Sequence, residues 1–155
     1  LPASVAMDGI DWDFRWLGEP PPAQPGEDRV QLIDQAQVGP LLDAASPTAS
    51  ARPGDPAVRR WVGVLDGGEL LACAADTSAV TGVGHLSSIA VHPGARGRGL
   101  ASAVTARLAR LLFADGCDVV TLGMYADNAG GRAVYDRLGF ADDHRFSSGL
   151  LQIRR

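Results

Sequence analysis

The chain has 155 residues, 46% of them hydrophobic and 21% charged, which is one domain's worth of chain with enough apolar surface for a single core. Its net charge of −4 argues against a general nucleic-acid or anionic-membrane binder, so any basic patch is local. No apolar run approaches the roughly 20 residues of a membrane span, no secretory leader is visible, and the only cysteines, Cys73 and Cys117, read as reduced buried thiols of a cytoplasmic protein.

The three histidines and two cysteines show no ligand spacing, so no metal is expected. All fourteen basic residues are arginine, and the heavy use of Ala, Arg and Pro fits a GC-rich bacterial source. The chain begins at Leu1 rather than Met, as a processed chain or a piece of a longer one does.

Residues 1–28 alternate Trp12, Phe14 and Trp16 with charges and then run into Glu19-Pro-Pro-Pro-Ala-Gln-Pro-Gly26. Prolines remove donors and favour extended backbone, so this stretch reads as an arm or linker on the surface of a domain spanning 29–155. Period-two spacing places the three aromatics on one face of an extended segment, either as packing or as a recognition wall. Val30–Ile33 reads as a short strand, and Val38–Ala45 as a short helix that buries Leu41 and Leu42. Ser46–Pro56 is too proline-rich for a helix. Asp66-Gly67-Gly68 joins strands Arg60–Leu65 and Leu70–Asp76 in a hairpin. A second turn over Ala79–Gly84 leads to a central strand, whose alternation puts His85, Ser87, Ile89 and Val91 on one face and Leu86, Ser88 and Ala90 on the other.

Pro93 and Gly94 stop that strand, and apolar residues recur at Leu100, Val104, Leu108 and Leu111 in the rhythm of an amphipathic helix. Between them lies Gly94-Ala-Arg-Gly-Arg-Gly99. Glycines allow close backbone approach, the first amides of a helix have no internal partner, and Arg96 and Arg98 add positive charge. The stretch therefore reads as a phosphate cradle. With no lysine there is no P-loop, and the glycine spacing does not fit the dinucleotide fingerprint. A strand over Asp118–Tyr125, parallel to the central one, a helix over Asn128–Leu138 and one or two antiparallel strands within Phe140–Ile153 complete the chain. The result is a mixed α/β sheet with helices on both faces.

Arg96-Gly-Arg-Gly99-Leu-Ala101 fits the pattern [QR]-x-x-G-x-[GA], and Asn128 to Phe140 fits N-x-x-[AS]-x-x-x-Y-x-x-x-G-F except for Gly131 at the Ala/Ser position. With both motifs in order, the chain resembles the GCN5-related N-acetyltransferase superfamily, and specifically a bacterial FR47-like member. The resemblance implies the acyl-CoA N-acyltransferase fold, with a central twisted sheet and splayed parallel strands that are the fourth and fifth of the family's count. It implies acetyl-CoA as cosubstrate, its diphosphate on the amides of Gly97, Arg98, Gly99, Leu100, Ala101 and Ser102 beside Arg96. The main chain around Ile89, Ala90 and Val91 would pair with the pantetheine arm. Arg132 and Arg137 either reach other CoA phosphates or are solvated. Asn128 either contacts the cofactor or caps its helix.

Transfer of an acyl group to an amine needs a held donor, a base and an acid for the leaving thiolate. Tyr135 matches the family's acid. Counting back from Ile89 places His85 where many members carry a glutamate base, with Asp76, Ser87, Tyr125 and His144 in reserve and His92 read as structural. Thr48, Ser50, Arg52 and Asp55 either face the acceptor or belong to an exposed connector. The expected acceptor is a small-molecule or peptide amine, with no nucleic acid or membrane partner and with a homodimer common in the family. A non-catalytic acyl-CoA-binding module and a nucleotide-binding βαβ protein are the other readings.

Overall fold

The computed structural model describes residues 12–125 and 129–142. Seven strands form one sheet: β1 (Trp12–Leu17), β2 (Gln31–Leu32), β3 (Arg60–Asp66), β4 (Glu69–Asp76), β5 (Val83–Val91), β6 (Val119–Tyr125) and β7 (Ala141–Asp142). Their spatial order is β2-β3-β4-β5-β6-β1-β7. All described pairings are antiparallel except β5–β6, which the crossover helix α2 (Leu100–Ala114) makes parallel. Helix α1 (Val38–Ala45) lies on one face and buries Val38, Leu41 and Leu42 with Trp61, Leu70 and Cys73. On the other face α2 and α3 (Ala129–Leu138) bury Val104, Leu108 and Leu138 against Val62, Leu86, Val120 and Leu122. The expected mixed sheet with helices on both faces is therefore the fold.

Two local features depart from the sequence reading. Residues 12–17 of the expected arm are a strand lying between β6 and β7, in register from Trp12 opposite Tyr125 to Leu17 opposite Val120. The following proline segment straps across α2, where Arg110 bonds Pro21 O at 3.1 Å and the Glu27 carboxylate at 3.0 and 3.1 Å. This added strand also makes the parallel pair the fifth and sixth strands of the chain.

The second departure corrects the simple alternation along β5. Ala72 and Cys73 face Val91 and Ala90, but Ala75 and Asp76 face Ser87 and Leu86, so β5 carries one extra residue. Ser88 adopts φ 51° there. Leu86 consequently shares the α2 face with Ile89 and Val91, whereas Ala90 packs on the α1 side.

Gly63 on β3 shows how tightly the ladder beside this bulge is packed. A Cβ there would lie 2.6 Å from Ala72 O, a backbone atom that cannot swing away. Gly63→Ala is expected to cost about 1–3 kcal/mol, the usual penalty of overpacking, read as a lowered midpoint in urea unfolding.

Candidate active site

The parallel ladder sets the site. β5 and β6 pair from Val83–Val119 to Leu86–Leu122 and no further, although β6 continues to Tyr125 and β5 to Val91. Beyond Leu86 the two halves of the sheet diverge. A cavity of about 710 Å³ on the α2 and α3 side is lined by Ile89, Ala90 and Val91 of β5, Arg96 and Gly97 of the loop, and Gly99 to Ser102 at the start of α2. Arg137, Val134 and Tyr135 of α3 complete its wall. A smaller cavity of about 120 Å³ lies beside it, lined by Ser46, Thr48, Ser50, Ser87, Ser88, Gly123 and Met124. Ser46, Ile89 and Tyr135 border both.

Gly97 and Gly99 both take left-handed φ, 80° and 76°, a conformation that side chains rarely adopt. Gly99 is the N-cap of α2 and offers no side-chain cap. None of the amides from Gly97 to Ser102 donates to a described residue; the first intrahelical bond is Ala103 N to Gly99 O at 3.0 Å. Of the residues that carry these donors, Gly97 and Gly99 to Ser102 line the large cavity at the positive end of a fifteen-residue helix. Arg137 Nη1 bonds Ser102 Oγ at 3.0 Å and so brings a guanidinium to the same turn. Arg98 turns toward Gly94 O at 3.4 Å and is absent from the cavity lining, and Arg132 pairs with Asp142 at 3.4 Å.

Tyr135 owes its place to the end of α3. Gly139, at φ 93°, lets Gly139 N bond Asp136 O at 3.1 Å and Phe140 N bond Tyr135 O at 2.9 Å, the two bonds of a Schellman cap. The Tyr135 and Phe140 rings meet edge to face with centroids 5.8 Å apart, the apolar contact that accompanies such a cap. The spacing Tyr-x-x-x-Gly-Phe is thus a helix stop that aims a phenol. Burial pushes the Tyr135 hydroxyl up to about 12, against the opposing effect of the Arg15 cation. Among the described residues its oxygen has no hydrogen-bond partner.

His85 sits where β5 and β6 are still paired. Its Nδ1 lies 2.8 Å from Thr121 Oγ1, and that hydroxyl is 2.9 Å from Gly84 O. The hydroxyl has one proton to give, to the carbonyl, so it accepts from Nδ1–H and leaves the lone pair on Nε2. Burial lowers the imidazole below its ordinary value, with Asp76 acting in the opposite direction. His85 nevertheless lines neither cavity; Ser87, paired with Thr77 Oγ1 at 2.6 Å, is the neighbour that does.

The remaining expected residues divide. Thr48 and Ser50 border the small cavity, whereas Arg52 pairs with Asp43 at 3.0 Å and Asp55 bonds Ala57 N within its own turn. Asp76 is buried on Ser78 and Arg60, and His92 accepts from Gly94 N at 3.0 Å, capping the turn after β5. The Tyr125 side chain, Asn128 and His144 lie outside what the structure describes. Ser46, at the end of α1, carried no sequence signal. Cys73, pushed up to about 12 by burial, touches Ser88 O through its thiol at 3.5 Å and offers no nucleophile at neutral pH. Among the described residues no cluster suits a metal ion.

Comparison with known proteins gives a consistent picture. Residues 25–140 match the profile described as the acetyltransferase (GNAT) family. A mycothiol acetyltransferase of Streptomyces avermitilis is 43% identical over 60 residues, 39% of this chain and 20% of that protein. A structure described as an acetyltransferase of the GNAT family from Novosphingobium aromaticivorans superposes with TM-score 0.74 at 22% identity, covering 86% of this chain and 61% of that one. A ribosomal-protein-alanine N-acetyltransferase from Brucella melitensis gives 0.61 at 23% identity, covering 74% and 92%. The matched stretch is thus a small part of the curated relative, and at these identities the solved structures speak to the fold alone.

The His85 environment makes a measurable claim. With its folded value below the ordinary 6.5, neutral His85 contributes stability that is fully present above that value and is lost as pH falls through the lowered one. An NMR titration is expected to place the His85 ring midpoint below 6.5, and Thr121→Val to perturb the Nδ1 resonance.

Proposed function

The chain belongs to the acetyltransferase (GNAT) family, and we propose that it moves the acetyl group of acetyl-CoA to an amine by direct attack while both substrates are bound. The observation that carries this reading is the position of Tyr135, whose side chain borders both the large cavity and the small one across the gap between β5 and β6. The residues present suit acetyl-CoA: unpaired amides from Gly97 to Ser102, two left-handed glycines, the Arg96 and Arg137 side chains, and an unpaired β5 edge at Ile89–Val91. The amides and guanidiniums would hold the diphosphate, and the β5 main chain the pantetheine arm. When bound, the cosubstrate supplies an activated acetyl thioester.

The amine enters from the small cavity, among Thr48, Ser50, Ser87 and Ser88. As the C–N bond forms and the C–S bond breaks, the amine proton passes through water to His85 Nε2, and the Tyr135 hydroxyl donates to the departing sulfur. Neutral His85 has the lone pair for this role, and its set-back position is why a water is included. The buried, protonated Cys73 supports direct attack over a covalent acyl-enzyme. The acceptor in this reading is a small-molecule or peptide amine, which would meet the hydroxyls of Thr48 and Ser50 in the small cavity.

The same set-back favours a second reading, an acyl-CoA-binding module without turnover. Free CoA released against a panel of amines separates the two. Acetyl-CoA is expected to raise the melting temperature where NAD and ATP do not. Tyr135→Phe is expected to lower kcat by about 10²–10⁴, the usual worth of one general acid, with acetyl-CoA affinity nearly unchanged; full turnover by this variant removes the acid role.

A further inference from the structure

Among the described ion pairs the most deeply buried charge is Arg15, on β1, whose side chain is only 2% exposed. Its guanidinium gathers four acceptors around the end of α3. Nη2 bonds Phe140 O at 2.7 Å and a carboxylate oxygen of Asp136. Nη1 reaches Arg132 O at 3.3 Å. Nε lies 3.0 Å from Asp142 Oδ1, an ion-pair contact whose direction does not suit a hydrogen bond. Three of these acceptors bracket Tyr135: Arg132 lies three residues before it, Asp136 follows it, and Phe140 bonds its carbonyl and packs on its ring. Asp142 belongs to β7, the strand next to β1.

A planar guanidinium presents its donors in a fixed fork, so it fixes the relative placement of the groups it bridges. It also sets a positive charge beside the carbonyl end of α3, where the helix dipole favours it. Arg15 faces away from Phe14 and Trp16, and no described atom of it borders either cavity.

From this geometry we infer that Arg15 is a positioning residue for Tyr135, and that the N-terminal strand, outside the segment matched to the family, is part of the working site. The inference rests on Tyr135 being the acid. Losing the clamp lets α3 and its cap shift against the gap, and a displacement of about 1 Å in a reacting group costs on the order of 10²-fold in rate.

A double-mutant cycle tests it. Arg15→Gln is expected to lower kcat about 10²-fold while KM for acetyl-CoA stays within about twofold, and Arg15→Lys, which keeps the charge without the fork, to recover part of the loss. In a Tyr135→Phe background Arg15→Gln is expected to have almost no further effect. The same fold-loss in both backgrounds overturns the inference even when Tyr135→Phe alone is slow, whereas a fully active Tyr135→Phe variant overturns the acid role itself. If Arg15→Gln does not fold, Asp136→Asn and Asp142→Asn each remove one partner at a partly exposed site. Each is then expected to lower kcat several-fold in the native background and to leave it unchanged in Tyr135→Phe; equal losses in both backgrounds refute the positioning role.

Discussion

At Ser88 the ladder between β4 and β5 takes in one extra residue, and everything the site contains is arranged about that break. A bulge bends its strand and strengthens the local twist. Two residues earlier the parallel pairing of β5 with β6 stops, while β6 stays joined to β1 and β5 stays joined to β4. The sheet therefore opens along one seam without losing either half. A non-glycine residue at positive φ costs on the order of 1–3 kcal/mol. Ser88 is held there by its own hydroxyl, which bonds Ala51 O at 2.7 Å and accepts from Ala51 N at 3.0 Å. The Cys73 thiol takes up the Ser88 carbonyl. The hydroxyl that fixes the bulge thus also fixes the loop carrying Thr48 and Ser50 beside the small cavity.

The opening matters because two unlike pieces of chemistry meet across it. On one side are donors that the helix start cannot satisfy internally, set in a loop whose glycines keep side chains out of the way. On the other are hydroxyls, with no described carboxylate lining the small cavity. In the proposed reaction a diphosphate-bearing molecule would lie on the first of these surfaces and a small amine on the second, one on each side of the seam.

How much of this could be read from the residues follows from which signals are local. The glycine loop before α2 was legible because Gly97 and Gly99 sit two positions apart beside Arg96, whereas Arg98, read together with them, turns to Gly94 O instead of the cavity. Tyr135 was legible because its aim is set by a helix stop four and five residues on, at Gly139 and Phe140. Helix α1 and the hairpin β3–β4 fall where apolar spacing and Asp66-Gly67-Gly68 put them. The bulge was not legible: alternation along Val83–Val91 looks unbroken, and the register shift exists only against β4. Nor was the place of β1. Arg15 is one of the charges that alternate with aromatics along the expected arm, and its acceptors on Arg132, Asp136, Phe140 and Asp142, more than a hundred residues away, make its burial tolerable. His85 was found by counting, but counting along one strand could not show that it stands behind Ser87 rather than at the cavity wall.

The acidity of Tyr135 decides what kind of contribution it can make. A phenol held at about 12 is a poorer acid than a thiol of ordinary value near 8.5, by roughly three and a half orders of magnitude. In the proposed transfer, handing its proton to sulfur is uphill even once the C–S bond has broken, so its effect is a hydrogen bond to developing charge. Such a bond in a buried site depends steeply on distance and angle and hardly on bulk pH. Burial keeps the phenol protonated and dry, and Arg15 opposes the resulting loss of acidity while tying down the backbone on either side. A strongly depressed acidity is tolerable only where geometry is tightly held, which is why the cation at β1 and the cap at Gly139 belong to the same device.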